Sequence, residues 1–391
     1  MASERVVIVG GGILGTMHAL EAHRLGWEVI HLEADAGPRR ASVRNFGLIW
    51  VSGRAVGPEL DLALRARDLW EDLSGRVPGI GFRADGSLTV ALAADELSLM
   101  AEAASRPDAP DRGFELLDSA GVRSVNPSIR GDVAGGLLCR SDAVVEPRSV
   151  LGALRSSLTG ASAGTADASA GTYQWLPGRQ AVDIEPAGSS GHSGATVVDH
   201  RGGRHRGSLV VLCVGDRLSG LGGRIGAAVT AAPLQRCRLQ MMETAPTPEH
   251  LTTALADGDS MRYYPAFDLP GRARLPAPTA GTAAWGMQLL CVQRAGGGLT
   301  IGDTHVYEEP FDFAVDEAPY GDLRARAEDI LGWRLPPVVR RWAGVYSLTT
   351  DGSIYCSERL DTDVMLVTGP AGRGMTLSPA IAERTFEEVL A

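Results

Sequence analysis

Two adjacent stretches carry residue types that could do chemistry. The first is Gly10-Gly11-Gly12-Ile13-Leu14-Gly15, a G-x-G-x-x-G pattern directly after the apolar run "RVVIV" (5–9). In that setting Gly10 permits a tight turn, Gly12 lets the backbone approach a pyrophosphate, and Gly15 lets a helix pack on a strand. The diphosphate would meet the unpaired N–H groups and positive dipole end of the following helix. Glu33 ends the run "EVIHLE", at the distance where a carboxylate accepts from a ribose hydroxyl pair. The second stretch is "RRASVRNFGLIW" (39–50), where Arg44-Asn45-Phe46-Gly47 leads straight into an apolar segment. What an arginine–asparagine pair faces so soon after a nucleotide-binding unit is the question it poses.

The elements that must position these residues follow from hydrophobic period. Ile13, Met17, Leu20 and Leu25 have helical spacing and stop at Gly26, so residues 5–33 read as a βαβ unit. Helices are expected over 58–77, within the acidic stretch 94–121, over 146–158 and after the segment "FDFAVDE". Strands are expected at 86–92 and 135–139, with a meander "QAVDIEP", "ATVVDHRG", "GSLVVLCVG" ending in Gly215. The runs within 236–308 predict a mainly antiparallel sheet. Residues 363–390 close the sequence as strand, glycine turn and helix, while 160–172 and 186–195 read as small-residue loop tips. The fold expected is α/β: a nucleotide domain from 1–80, 142–235 and 336–391, and a substrate domain of antiparallel sheet plus helices from 81–141 and 236–335.

Composition removes several function classes. All 37 basic residues are arginine and the net charge is −10, which argues against a polybasic nucleic-acid or membrane surface. Without lysine, Schiff-base and P-loop lysine mechanisms are excluded. The five cysteines (Cys139, Cys213, Cys237, Cys291, Cys356) are far apart, so neither a disulfide framework nor a zinc site is expected and a reduced, cytoplasmic setting is favoured. The sequence enters a strand at once and has no long apolar run, so neither a signal peptide nor a transmembrane helix is expected. His18 and His23 lack metal-ligand spacing and read as surface residues; Cys213, Trp50 and Trp70 read as packing.

The later glycine-bearing segments decide between NAD and FAD. "LVVLCVGD" (209–216) and "MLVTGPAGRGMTLSPAIAE" (365–383) would bring strand ends and a glycine turn back over a flavin ring, a return an NAD domain does not need. FAD is therefore the expected cofactor.

With these motifs in place, the sequence resembles the FAD-dependent D-amino-acid oxidase superfamily, which includes glycine oxidase and sarcosine oxidase. The resemblance runs through "VVIVGGGILG", Glu33, "ASVRNFG", "VEPRSVLGAL", "VVLCVGD", "RWAGVYSLTTDGS" and "TGPAGRGMTLSPAIAE". Within it, "SVRNFGLIW", "GLTIGDTH" and "WAGVYSLTTDGS" are most similar to a branch associated with phosphonate breakdown, thought to oxidise aminophosphonates or their N-methyl derivatives. It implies a glutathione-reductase-type, Rossmann-like domain holding non-covalent FAD, with Cys356 the conceivable alternative as a covalent link. It places Arg39, Arg40, Ala41 and Ser42 near the diphosphate and ribityl chain. Arg44 and Asn45 would reach the ring or the pocket in front, where donors stabilise the N1/C2=O region as it gains charge. A surface ion pair for Arg44 and a turn-forming role for Asn45 stay open. Further expected cofactor contacts are Ile13, Leu14, Ala34, Phe46, Gly47, Val182, Val214, Gly215, Gly344, Gly372, Arg373, Gly374, Met375 and Thr376.

One departure bears on substrate. Relatives that oxidise amino acids commonly carry an arginine two residues after the glycine of a W-x-G motif, and here Tyr346 stands there. A bidentate grip on an α-carboxylate is missing at that place. Candidate anion donors are Arg262, His305, Arg44 and Arg373, with hydroxyls from Tyr263 or Tyr264. The activity implied is oxidation of a small amine by hydride transfer to flavin N5, the imine then hydrolysing, with O2 or another molecule as electron acceptor. A secondary amino acid such as sarcosine is the alternative substrate. A flavin monooxygenase and a non-catalytic nucleotide-binding protein are the other classes.

Overall fold

The computed structural model describes residues 4–160, 171–187 and 194–391. Most of the two expected small-residue loop tips lies outside the described residues. The first sheet has six strands in the order Cys356–Asp361, Val364–Thr368, Leu209–Leu212, Arg5–Val9, Glu28–Glu33 and Tyr173–Pro177. All neighbours are parallel except the first pair. Val6, Val7 and Ile8 are fully buried because both faces are covered. Val6 and Ile8 pack towards the helices Ile13–Arg24, Pro58–Arg76 and Gly374–Leu390. Val7 packs with Ile184, Val197 and Ile225 on the opposite face. That face is covered by a three-stranded antiparallel sheet, Ala181–Glu185, Ala195–Asp199 and Arg204–Gly207. The expected meander therefore divides: Leu209–Leu212 leaves it and joins the central parallel sheet.

The second sheet has eight strands, in the order Val338–Thr349, Leu234–Thr244, Leu299–Gly302, Leu290–Gln293, Ala254–Asp257, Ser87–Ala91, Gly135–Cys139 and Phe114–Asp118. It is antiparallel apart from the pair Ala254–Asp257 with Ser87–Ala91. The sequence places 336–391 wholly with the nucleotide-binding piece. Val338–Thr349 instead pairs with Leu234–Thr244 from Val338 opposite Thr244 to Thr349 opposite Leu234, so it is an edge strand of the second sheet. The acidic stretch 94–121 is not a single helical region: helix Ala94–Ala104 gives way to strand Phe114–Asp118 and a short helix from Ser119.

His18 and His23 correct a further expectation, since both are buried. The Ile13–Arg24 helix is packed by the C-terminal helix, by Val150–Gly160 and by the sheet, so His18 and His23 have no solvent to face, while Arg24 at its end does. His18 is satisfied there by Leu14 O at 2.7 Å and Thr385 Oγ1 at 3.0 Å.

Candidate active site

At the first strand–helix turn two glycines are sterically required. Gly10 has φ +116°, and a Cβ there would lie 2.2 Å from the Cys213 carbonyl oxygen; one on Gly15 would lie 1.9 Å from Gly10 O. Gly12 caps the helix in extended conformation, with no side-chain cap and no acidic residue in the first turn. Nothing acidic on the helix thus competes with an incoming phosphate for its N-terminus. Glu33 holds the loop together: Oε2 accepts from Gly11 N at 2.6 Å and Oε1 from Asp35 N at 2.8 Å. Ser42 Oγ accepts from Ile13 N at 3.0 Å. Beneath the turn, His31 Nε2–H donates to Gly10 O at 2.9 Å and Nδ1 accepts from Tyr173 OH at 3.1 Å. Burial holds His31 neutral, its pKa lowered to about 3.

From this turn a cavity of about 450 Å³ extends past Arg40, Ala41 and Ser42 to Val214 and Gly215, then to Gly344–Tyr346 and Gly372–Thr376. Gly10, Gly12, Ile13, Leu14, Glu33, Ala34, Asn45 and Phe46 also line it, so three distant glycine-bearing stretches share one cleft. Arg40 reaches Asp216 at 3.0 Å and Asp35 at 3.5 Å across its mouth. A glycine cradle, a helix N-terminus with no acidic residue in its first turn and an arginine beside it suit an anionic dinucleotide. Among the described residues no group of histidine, cysteine and acidic side chains could hold a metal ion, and no helix is long and apolar enough to cross a membrane.

Three expected contacts are not among the lining residues. Gly47 is turned towards the Val145 carbonyl, 2.1 Å from where its Cβ would be. Val182 gives way to its neighbours Gln180 and Ala181. Arg262 is tied down locally, its Nε donating to Asp259 Oδ1 at 2.8 Å and its other terminus to Pro276 O. Cys356, on the edge strand, is buried, carries a free thiol and does not line the cavity.

At the far end of the cleft, side chains from both sheets converge. The Tyr346 hydroxyl lies 3.4 Å from that of Tyr263, whose ring stacks on His305 with centroids 4.3 Å apart. His305 Nδ1 is 2.9 Å from Gly286 O, and Nε2 is 3.9 Å from Asp303 Oδ2. Asp303 is only 5% exposed, and Gln288 Nε2 donates to its Oδ1 at 3.2 Å. Burial pushes the Asp303 carboxyl up, against the pull of His305 and Gln288. Opposite stand Trp50 and Tyr264, ring centroids 5.7 Å apart, and Arg54, whose guanidinium lies 5.8 Å from the Tyr264 ring centre. Arg54 is buried, donates from Nε to Trp50 O at 2.7 Å and approaches Glu59 at 3.4 Å. Burial lowers its pKa. Arg373 holds the same Glu59 at 3.2 Å.

Arg44 and Asn45 both line the cavity, but their polar groups are largely engaged by backbone. Arg44 donates from Nη1 to Ala343 O at 2.7 Å, so it is held by backbone and not by a surface ion pair. Asn45 donates to Ala41 O at 2.8 Å and accepts from Gly47 N at 2.7 Å, the turn-forming arrangement. Sequence reasoning misses Arg54, Gln288 and Asp303 as site residues and places Trp50 in packing alone. Asp303 had a signal, a carboxylate two residues before His305 in "GDTH"; Arg54 and Gln288 had none.

A family model described as "DAO: FAD dependent oxidoreductase" matches residues 5–388. Over 171 residues the chain is 28% identical to an opine oxidase subunit of Rhizobium meliloti, covering 39% of this chain and 44% of that protein. The corresponding opine oxidase subunit of Agrobacterium tumefaciens (strain Ach5) is 26% identical with the same coverage, so the match spans less than half the length of these curated relatives. The fold is shared with glycine oxidase from Geobacillus kaustophilus (TM-score 0.75, 20% identity, 99% of this chain and 95% of that one). It is shared too with iminodiacetate oxidase from Chelativorans sp. BNC1 (TM-score 0.71, 15% identity, 99% and 95%). The family's cofactor is FAD, which the cleft's donors fit. The chain belongs to the DAO family of FAD-dependent oxidoreductases.

Proposed function

We propose that the protein oxidises the C–N bond of a small amine that also carries an acidic group, with an aminophosphonate or N-alkyl aminophosphonate as the substrate class that the resemblance of its motifs implies. One observation carries this reading: a buried carboxylate, Asp303, and a buried guanidinium, Arg54, line the same cavity, with Tyr264 beside the guanidinium. That pair is complementary to a substrate bearing both charges. Asp303 accepts a hydrogen bond from the substrate nitrogen and would take the proton that an ammonium must lose before the hydride can leave its α-carbon, with Gln288 fixing the carboxylate's orientation. Arg54 holds the acidic group, steadied by Glu59 and the Trp50 carbonyl. Tyr263, Tyr346 and His305 close one side, and Met241 and Leu290 supply apolar wall that limits water. Bound FAD supplies the hydride acceptor, so what the protein adds is mainly orientation and electrostatics. Similarity to an opine oxidase subunit, and a fold shared with oxidases of glycine and iminodiacetate, support an amine donor.

A carboxylate-bearing secondary amine such as sarcosine is the second reading. The local tethering of Arg262 favours it, because a dianion then has fewer donors than the sequence suggests. Anaerobic mixing decides between them. Bleaching of the flavin band by aminophosphonates and not by simple amino acids is the expected result; bleaching by amino acids alone would sink the phosphonate reading, and bleaching by no amine would sink both. Exposing the reduced protein to air and assaying H2O2 tests whether O2 is the acceptor.

A further inference from the structure

We propose that a second cavity, behind the reaction cavity, is a binding site for a compact tetrahedral dianion, either phosphate or a phosphonate. The cavity measures about 330 Å³, and its charged lining is Arg148, Arg294, Arg340, Glu146 and Glu243. Three guanidinium groups thus share a concave site with two carboxylates, in a protein whose net charge is −10. A concave site with excess positive charge concentrates anions. The carboxylates are shared rather than matched one to one. Glu243 serves both Arg148 and Arg340 at 3.2 Å. Glu146 is held by Arg83 at 3.1 Å and by Ala295 N at 3.1 Å, and is 3.8 Å from Arg294.

Arg294 is the second observation. Its side chain is 9% exposed, its NH2 donates to Phe46 O at 2.7 Å, and its buried Nε has no hydrogen-bond partner among the described residues. Its nearest carboxylate, Glu146, is 3.8 Å away and is shared with Arg83, so its charge is only partly matched, and an anion in the adjoining cavity completes that match. The indole of Trp342 also lines the cavity, but the Arg148 guanidinium lies over it, 5.0 Å from its centre. That face is taken, so the space suits a small oxyanion rather than an aromatic ligand.

The site touches the reaction cavity through a single turn. Asn45 lines both cavities, Trp342 Nε1 donates to Arg44 O at 3.4 Å, and Arg294 holds Phe46 O. An anion here steadies the turn without entering the flavin cleft. The proposal does not rest on the amine reading, since its test measures binding and not turnover.

Flavin-loaded protein is titrated by calorimetry with inorganic phosphate and, separately, with methylphosphonate at constant ionic strength. One-to-one binding is expected. The double variant Arg148→Gln/Arg340→Gln should weaken it at least tenfold with flavin content unchanged. Glu243→Gln removes the carboxylate that competes for the same two guanidinium groups, so it should tighten binding several-fold; this variant carries the test if the double variant does not fold. Tighter phosphate identifies the free anion as occupant, and tighter methylphosphonate identifies a substrate-like molecule. Absence of saturable heat with both anions, or affinities unmoved by either change, overturns the site. So does an anion that is displaced by amine substrate and binds the double variant equally well, since that places it in the reaction cavity.

Discussion

Beneath the nucleotide end of the cleft lie two buried imidazoles, whereas the reaction end and its sheet hold buried carboxylates together with Arg54 and Tyr264. His18 and His31 are held neutral by burial, with pKa values lowered to about 4 and about 3. Asp303 is pushed up by burial, and Asp257, in the same sheet, is raised to about 6. The two sets act on stability with opposite sign. Below pH 6.5 the unfolded chain binds protons on the two histidines that the native chain refuses, so their contribution is whole above 6.5 and is lost as pH falls towards 4 and 3. Asp257 works the other way: its contribution is present below the ordinary carboxylate range and lost as pH rises through about 6. The nucleotide end is thus arranged for close backbone approach around neutral groups. At the reaction end burial works against the ionised form of a carboxylate that lines the cavity.

Gly15→Ala should give the largest break between the ends. The Gly10 carbonyl stands 1.9 Å from the added methyl and is itself fixed by His31, so the turn cannot yield cheaply. Flavin absorbance per protein should fall at least tenfold; full flavin occupancy would show that the turn does not hold the cofactor. Asp303→Asn tests the other end. Losing a hydrogen bond to a charged amine costs roughly 1.5–3 kcal/mol, so kcat/KM should fall by about 10- to 150-fold with flavin retained. The melting temperature at pH 8 should rise, since a buried charge is removed. A lowered melting temperature with unchanged kinetics would make Asp303 structural.

Acid sharpens the contrast. Denaturant unfolding between pH 6.5 and 4 should show each buried histidine lowering stability by up to about 1.4 kcal/mol per pH unit, offset in part below pH 6 by Asp257. His18→Gln should reduce that slope, and an unchanged slope would show that His18 is not the group being protonated. The smallest effect is expected from Arg262→Ala. With its donors spent on Asp259 and Pro276, kcat/KM should stay within about twofold, and a hundredfold loss would restore Arg262 to the substrate site.

The same contrast explains what could be read from the sequence. Gly10, Gly15 and Glu33 are legible because turn, helix start and strand end lie within one βαβ unit, where local rules hold. The return of Gly215 and of Gly372–Thr376 to the same cleft is legible because each follows a buried strand of the parallel sheet. Arg54, Gln288 and Asp303 meet only through the pairing order of the second sheet and the path of the chain after Trp50, and spacing encodes neither. Arg262 misleads because an Asp259 three residues earlier claims it. His18 and His23 mislead because a helix covered on several sides shows no polar face, so period says little about exposure.

The strand Val338–Thr349 passes the second cavity at Val339, Arg340 and Trp342 and reaches the reaction cavity at Gly344–Leu348. At that end Ser347 Oγ donates to Gly215 O at 2.8 Å, and Leu348 bridges to Pro370 beside the glycine turn. One ribbon therefore stitches the flavin-side loops to the second sheet. A clamshell opening between the two halves would have to shear it from Leu234–Thr244 or tear it from Gly215. Tyr263, 41% exposed, stands at the rim of the pocket that this ribbon helps to wall.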